Sequence, residues 1–436
     1  MNLYGETMEP LSAESRGAFS RRRLSRTPPA VQASPAHGSG GRTLLILSLY
    51  QMLSNNRSSL FTVFFVLYVV EKDGVSVAAA LTAFSAAYVA ASLTGPFAGR
   101  LSDRMGRRRL LLIVSEAASL PFFVLIPFLG GFIAISAFFL IGEAVLSVGS
   151  TALQAYVADV TASRDRGRGY GFLSQVGALG SIVGVVAAGL VSEYVGIDAI
   201  FYLVGFFIVA DLLLLVFALP ESTVKPSMSR RPFREMKGVV VFSFATSIRA
   251  VGTGAVTAFI GAYAYFLGAN YFEVSLIAVA GLGTTALLAT KLGSKVDTMG
   301  EIRGYVYGTV TVGVALVIYV VSGAWPELVP ARIIYSMGFG LLSPAMLSWV
   351  SKIAPAGRTA EYLGVFSLVN STLWSFGPLP GGLIQGWLGD AGLFAFAIIT
   401  TAVSVVAVYV LYWKSRPSAS PVSGVQGGGD GVVEAS

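Results

Sequence analysis

Gly99-Arg-Leu-Ser-Asp103-Arg104-Met-Gly106-Arg107-Arg108-Arg109 closes one long apolar run of this chain, and Gly293-Ser-Lys-Val-Asp297-Thr298-Met-Gly300 closes another, 194 positions further on. Both read Gly, three residues, Asp, one residue, Met, Gly. A shared pattern at about half the chain length predicts an internal duplication. Other landmarks repeat at nearly the same offset: Gly171 with Gly364 and Gly184 with Gly377 at 193, and Arg57 with Arg249 at 192.

The chain around these landmarks is 54% hydrophobic and only 12% charged, with mean hydropathy of +0.72. Its apolar residues come in runs of about 20 separated by short polar turns, the signature of a polytopic membrane protein. A soluble chain of this composition would leave large apolar patches in water. The runs are continuously apolar, with no alternation over about ten residues, so helices are expected and a barrel is not. The fold class read here is an all-α membrane protein with 12 spans: 43–70, 75–98, 110–129, 132–157, 170–192, 199–219, 238–266, 274–290, 304–322, 333–351, 362–388 and 391–413. Residues 43–219 and 238–413 would form two six-helix bundles joined by a cytoplasmic loop, 220–237.

Of the 30 Lys and Arg, 26 fall in the tails and the even-numbered loops, while the odd-numbered loops hold only Lys72 and Arg332. The positive-inside rule then places both termini in the cytoplasm, in a plasma membrane. Net charge of +7 follows from this topology and calls for no nucleic acid. Residues 1–42 and 414–436 read as disordered tails. Arg21-Arg22 would suit an export signal, but Thr27–Arg42 separates it from the first apolar run. The chain has no cysteine, and its one histidine, His37, lies in the first tail. Thiol chemistry, a buried histidine relay and a His or Cys metal site are therefore not expected. Nor does a Gly-x4-Gly-Lys-Ser/Thr nucleotide loop occur.

Gly99-x3-Asp103-Arg104-x-Gly106-Arg107-Arg108 resembles the signature loop of the major facilitator superfamily, and the weaker copy after the eighth span is also typical of that family. The resemblance runs over about 43–413. It implies two parallel six-helix repeats that rock around a midplane site, lined by the first, fourth, seventh and tenth spans. It also implies a latch of the outward-facing state, carried here by Gly99, Asp103, Arg104, Gly106 and Arg107. Asp103 would face the start of the eleventh span near Arg358–Tyr362, and Asp159 would meet the basic cluster. Asp297 would be the second-half counterpart, weaker because Thr298 replaces the basic residue. The fifth span, Gly171-x8-Gly180-x3-Gly184-Val185, resembles the family's antiporter motif without its proline, which the eleventh span carries instead at Gly377-Pro378. Close helix packing explains these glycines equally well. The fourth span lacks the arginine usual in the family's drug antiporters.

Charges inside a bilayer cost about 2.5–3.5 kcal/mol each on insertion scales and so mark function. Arg57, Glu116, Glu143, Asp211 and Arg249 lie well inside spans. Arg57 and Arg249, on symmetry-related cavity helices, could clamp an anion through bidentate hydrogen bonds, and their alanine variants would then fold but not transport. Pairing with acids or with Asn55 and Asn56 is the alternative. Glu143 would carry the coupling proton, or pair with Arg57. Glu116 and Asp211 fall on the third and sixth spans and read as packing or peripheral groups. Gln51, Asn55, Tyr263, Tyr335, Asn370 and Trp374 complete the candidate binding set.

The function expected is proton-coupled secondary transport of a small molecule by alternating access, with no enzyme chemistry and no cofactor, in a monomer embedded in lipid. An organic anion is favoured by the two arginines. A lipophilic cation exported as a multidrug substrate is favoured by Glu143 and the apolar cavity helices. A non-transporting receptor on the same fold would call for a large soluble tail.

Overall fold

In lipid a backbone must satisfy its own hydrogen bonds, so each apolar run closes into a helix. The computed structural model describes residues 39–160, 166–221, 237–354 and 359–415. They contain α1 (Ser39–Asp73), α2 (Val77–Met105), α3 (Arg108–Val124), α4 (Phe132–Val160), α5 (Arg166–Tyr194) and α6 (Ala199–Phe217). The second set is α7 (Lys237–Phe266), α8 (Tyr271–Met299), α9 (Glu301–Val321), α10 (Leu328–Ile353), α11 (Thr359–Phe376) and α12 (Pro378–Ser415). Residues 1–38 and 416–436 of the expected tails, most of the central loop, and Arg358 lie outside the described residues, while 39–42 and 414–415, read as tail, belong to α1 and α12.

Among the described residues, ten helical segments are long and apolar enough to cross a bilayer. One of these, Glu361–Leu411, has 51 residues, enough for two crossings at about 20 residues each. It is interrupted at Gly389, whose φ of 72° is non-helical. The expected eleventh span is thus broken in the middle, at Gly377-Pro378, and ends at Gly389. α1 falls outside this apolar set because Gln51, Ser54, Asn55, Asn56, Arg57, Ser58 and Ser59 form a polar band along it.

The signature segment is mostly helix. Residues 99–105 form the last turns of α2, and the chain turns only at Gly106, at φ 62°, where its N–H caps Ser102. Glycine suits that left-handed position. Gly99 is a different case, since a β-carbon there would stand at ordinary contact distance, 3.7 Å from Thr151. The second copy ends at Gly300, at φ 89°.

Glycines on α5 bring its backbone onto α1: a β-carbon at Gly180 would lie 2.2 Å from the Met52 carbonyl oxygen, and one at Gly184 2.7 Å from Asn56 Cα. The Gly184 N–H also donates to Asn56 Oδ1 at 3.1 Å. The matching position, Gly377, abuts the Val251 carbonyl on α7, where a β-carbon would come within 1.9 Å. Here the antiporter-like glycines serve close packing.

The two sets of six helices meet along α5–α8 and along α2 with α11 and α12. Their contacts gather at the end carrying the odd-numbered loops. There Tyr271 donates its hydroxyl to Glu71 at 2.5 Å and its N–H to Glu193 at 3.0 Å. Ser85 donates to the Ser375 carbonyl at 2.7 Å. At the opposite end α8 exposes Leu287, Lys291 and Asp297.

Candidate functional site

Arg57 sits about midway along α1, and its guanidinium is enclosed by acids from two other helices. Nη1 donates to Glu116 of α3 at 2.8 Å and to Asp211 of α6 at 3.4 Å, while Nη2 reaches Glu116 at 3.3 Å and Ser54 at 3.2 Å. Tyr50, two turns earlier on the same face of α1, donates to Glu116 at 2.7 Å. Arg57, Glu116 and Asp211 are 3%, 1% and 0% exposed. The two acids read as packing or peripheral groups are therefore packing partners of Arg57 in the core, and Asn55 and Asn56 serve α5 instead. One cation among two buried carboxylates is poorly balanced, and Asp211 Oδ1 and Arg57 Nε have no hydrogen-bond partner.

Arg249 occupies the related place on α7 and is 2% exposed. Its surroundings differ completely. Nη2 points to the Met346 sulfur at 3.2 Å, the guanidinium lies 5.2 Å from the centre of the Phe339 ring, and Nε has no partner. At the repeat offset of 193, Glu116 corresponds to Thr309 and Asp211 to Ser404. Thr309 bonds its own helix at the Tyr305 carbonyl, and Ser404 bonds the Ala245 carbonyl and the Tyr305 hydroxyl. The structure does not bring Arg57 and Arg249 together around a shared space.

Glu143 on α4 is 8% exposed and has no hydrogen bond or ion pair among the described residues. The nearest charges acting on it are Arg57 and Glu116, and it in turn acts on Tyr88. The Tyr88 hydroxyl is buried beside Thr62 and makes no hydrogen bond of good geometry among the described residues.

A cleft of about 560 Å³ lies on the C-terminal half between α7, α8, α10 and α11. Of the residues named from sequence, Tyr335 and Trp374 line it. Trp374 also meets Tyr88 of the other half edge-on at 6.0 Å between ring centres. Gln51 donates to Asn55 at 2.6 Å, and Asn55 packs over Gly177. Asn370 accepts from Ser247 at 3.3 Å. Tyr263 is buried among Phe259 and Phe394 with its hydroxyl on the Tyr319 and Ser322 carbonyls, away from the cleft lining. Arg104, Arg107 and Asp297 are exposed, and the side chains of Asp103 and Asp159 lie outside the described residues.

Sequence reasoning missed Arg332. The charge count placed it in a loop outside the membrane, but it lies in the second turn of α10 and lines the cleft. The tenth span was read from residue 333, one residue past Arg332, whereas α10 starts at Leu328 and accommodates Pro330 in its first turn, where proline is tolerated. That tolerance was the available signal.

A duplicated bundle of membrane helices, with buried charges inside it and a cleft on its C-terminal half, is the architecture of a class of membrane transporters. The family comparison agrees, and the chain belongs to the Major Facilitator Superfamily, whose model matches twice, over residues 47–242 and 242–435. Multidrug resistance protein 2 of Bacillus subtilis (strain 168) is 25% identical over 345 residues, 74% of this chain and 83% of that protein. Multidrug resistance protein MdtG of Escherichia fergusonii is 26% identical over 402 residues, 86% and 94% of the two chains. Among solved structures, a mutant of the peptide transporter POT superposes with a TM-score of 0.70 at 13% identity, covering 84% of this chain and 93% of its own. A bacterial homologue of the human lysosomal transporter Spinster, in an inward-facing and unoccupied conformation, gives 0.66 at 14%, covering 88% and 99%. At these identities the likeness concerns the fold. The chain is accordingly a multi-pass membrane transporter.

Proposed function

We propose that this transporter is a proton-driven exporter of amphipathic small molecules in the plasma membrane. Both termini lie in the cytoplasm, and the cleft is open to that side. The observation that carries the coupling is Glu143, a carboxyl on a central helix with no partner to hold its charge. Such a group gains or loses a proton as its surroundings alternate between wet and closed. The apolar and aromatic walls at Phe339, Tyr335 and Trp374 suit the flat apolar body of a drug-like compound. The names of the relatives, multidrug resistance proteins, support export over uptake. Asp103, Arg104, Arg107, Asp159 and Asp297 would latch the opposite, outward-open state when the exposed ends of α2 and α8 close.

A second reading, an organic anion clamped by Arg57 and Arg249, draws support from the absence of an acid beside Arg249. It requires Arg57 to release Glu116 for the substrate.

The export reading is tested in proteoliposomes with an imposed pH gradient and dansylcadaverine as an amphipathic cation. Wild type should accumulate the probe against its gradient. Glu143→Gln should lose at least about tenfold of the pH-driven component while still exchanging probe down its own gradient. Unchanged pH-driven accumulation in Glu143→Gln would remove Glu143 from the coupling step.

A further inference from the structure

Arg332 differs from the other two cations of the helix bundle in facing an opening. Its Nε and Nη1 atoms are buried and have no hydrogen-bond partner, and no ion pair reaches it among the described residues. It lines the 560 Å³ cleft together with Thr257, Tyr335, Ser336, Phe339 and Trp374. It also lines a small cavity between the halves, across from Thr62 and Val63 of α1. Gly281 of α8 makes room for it, since a β-carbon there would stand 2.7 Å from Nε. The guanidinium lies 5.3 Å from the centre of the Tyr335 ring. That cation–π contact and the neighbouring Tyr319 hydroxyl hold the group in place, while Nε and Nη1 keep no acceptor of good geometry among the described residues.

Buried donors without acceptors are costly, and a buried cation without a counter-charge is costlier. Arg57 meets that cost with two carboxylates, and Arg249 is shut away from the cleft lining. Only Arg332 combines unmet donors with an accessible space and aromatic walls. Its position relative to Glu143 adds to this. Glu143 corresponds at the repeat offset to Ser336, one helical turn from Arg332 on the same face of α10. The related helices α4 and α10 therefore carry opposite, unpaired charges at nearly the same depth.

We propose that Arg332 is an anion-binding subsite of the cleft, which takes the carboxylate or other acidic group of an aromatic substrate. The transporter thereby accepts anionic and zwitterionic amphiphiles as well as cations. This proposal rests on the transport reading but concerns equilibrium binding, so the two fail separately.

The test is fluorescence titration of the detergent-purified protein with two probes sharing one aromatic group, dansylglycine (anion) and dansylcadaverine (cation). Dansylglycine should bind wild type and weaken about tenfold or more in Arg332→Gln, the range expected for a lost charge-assisted hydrogen bond. Dansylcadaverine should stay within about twofold. Arg332→Lys should retain part of the dansylglycine affinity, and Gly281→Ala, which crowds Nε, should reduce it without altering the charge. Thermal unfolding midpoints of all variants establish that they are folded. Equal weakening of both probes, or no weakening of either, would overturn the subsite. Displacement of dansylglycine by phosphatidylglycerol, matched by no competition from free benzoate, would assign the anion to a lipid headgroup and overturn its place in substrate binding. Failure of dansylcadaverine transport in the proteoliposome experiment would count against export and leave the binding result standing.

Discussion

The two halves of this transporter keep a buried arginine at the same place and surround it differently. In the N-terminal half Arg57 is clasped by Glu116 and Asp211, with Tyr50 bonded to the same carboxylate. In the C-terminal half Thr309 and Ser404 stand at the corresponding positions, and Arg249 rests against Met346 and Phe339. Duplication preserved the cation and let its environment diverge. One half holds an excess of acid and the other an uncompensated positive charge. The first is a tight electrostatic knot joining α1, α3 and α6. In the second, α7 is held mainly by glycine-mediated backbone contact with α11 and α12.

The largest effect that would test this contrast is Arg57→Ala. It strands two buried carboxylates and should cost roughly 3–5 kcal/mol, read as a fall in the thermal unfolding midpoint and in yield of monodisperse protein. This revises the expectation from sequence that the variant folds normally and fails only in transport. Glu116→Gln should cost about 2 kcal/mol by weakening the bonds from Arg57 and Tyr50 together, and a loss no greater than that of Tyr50→Phe alone would show the ion pair to be inert. Grafting the acid into the other half sharpens the comparison. Ser404→Asp should stabilise by only about 1 kcal/mol, the new pair with Arg249 being offset by loss of the hydroxyl's bond to the Ala245 carbonyl. Smallest of all, Arg249→Met should change stability by less than about 1 kcal/mol, because it removes a cation that has no counter-charge to strand. If Arg249→Met proved as damaging as Arg57→Ala, the two halves would be equivalent after all.

The fold was readable because a helix in lipid leaves a long continuous apolar trace, and because Gly99–Gly106 and Gly293–Gly300 repeat at one offset. The site was only partly readable. Arg57, Glu116, Glu143, Asp211 and Arg249 stood out as charges in apolar surroundings, but which of them meet depends on helix rotation. A single sequence with nearly uniform apolar faces does not reveal that rotation. Tyr263 and Tyr335 illustrate the same limit, since the two tyrosines look alike in sequence and only Tyr335 reaches the cleft. Arg332 was hidden for a different reason: the apolar run was read from residue 333, whereas α10 begins at Leu328. Gly377-Pro378 drew notice as a motif without disclosing that it divides α11 from α12.

The closed end of the molecule is built from unusually smooth surfaces. Gly189 lies on Ser275, Gly261 on the Val63 carbonyl, and Gly382 on Ala78. Larger side chains would interlock there like gear teeth and would have to disengage before the halves could move. Backbone against small residues instead forms a plain bearing, on which the proposed rocking of one half over the other would cost little steric work. In the proposed cycle, substrate and proton would then need only to bias the direction of travel.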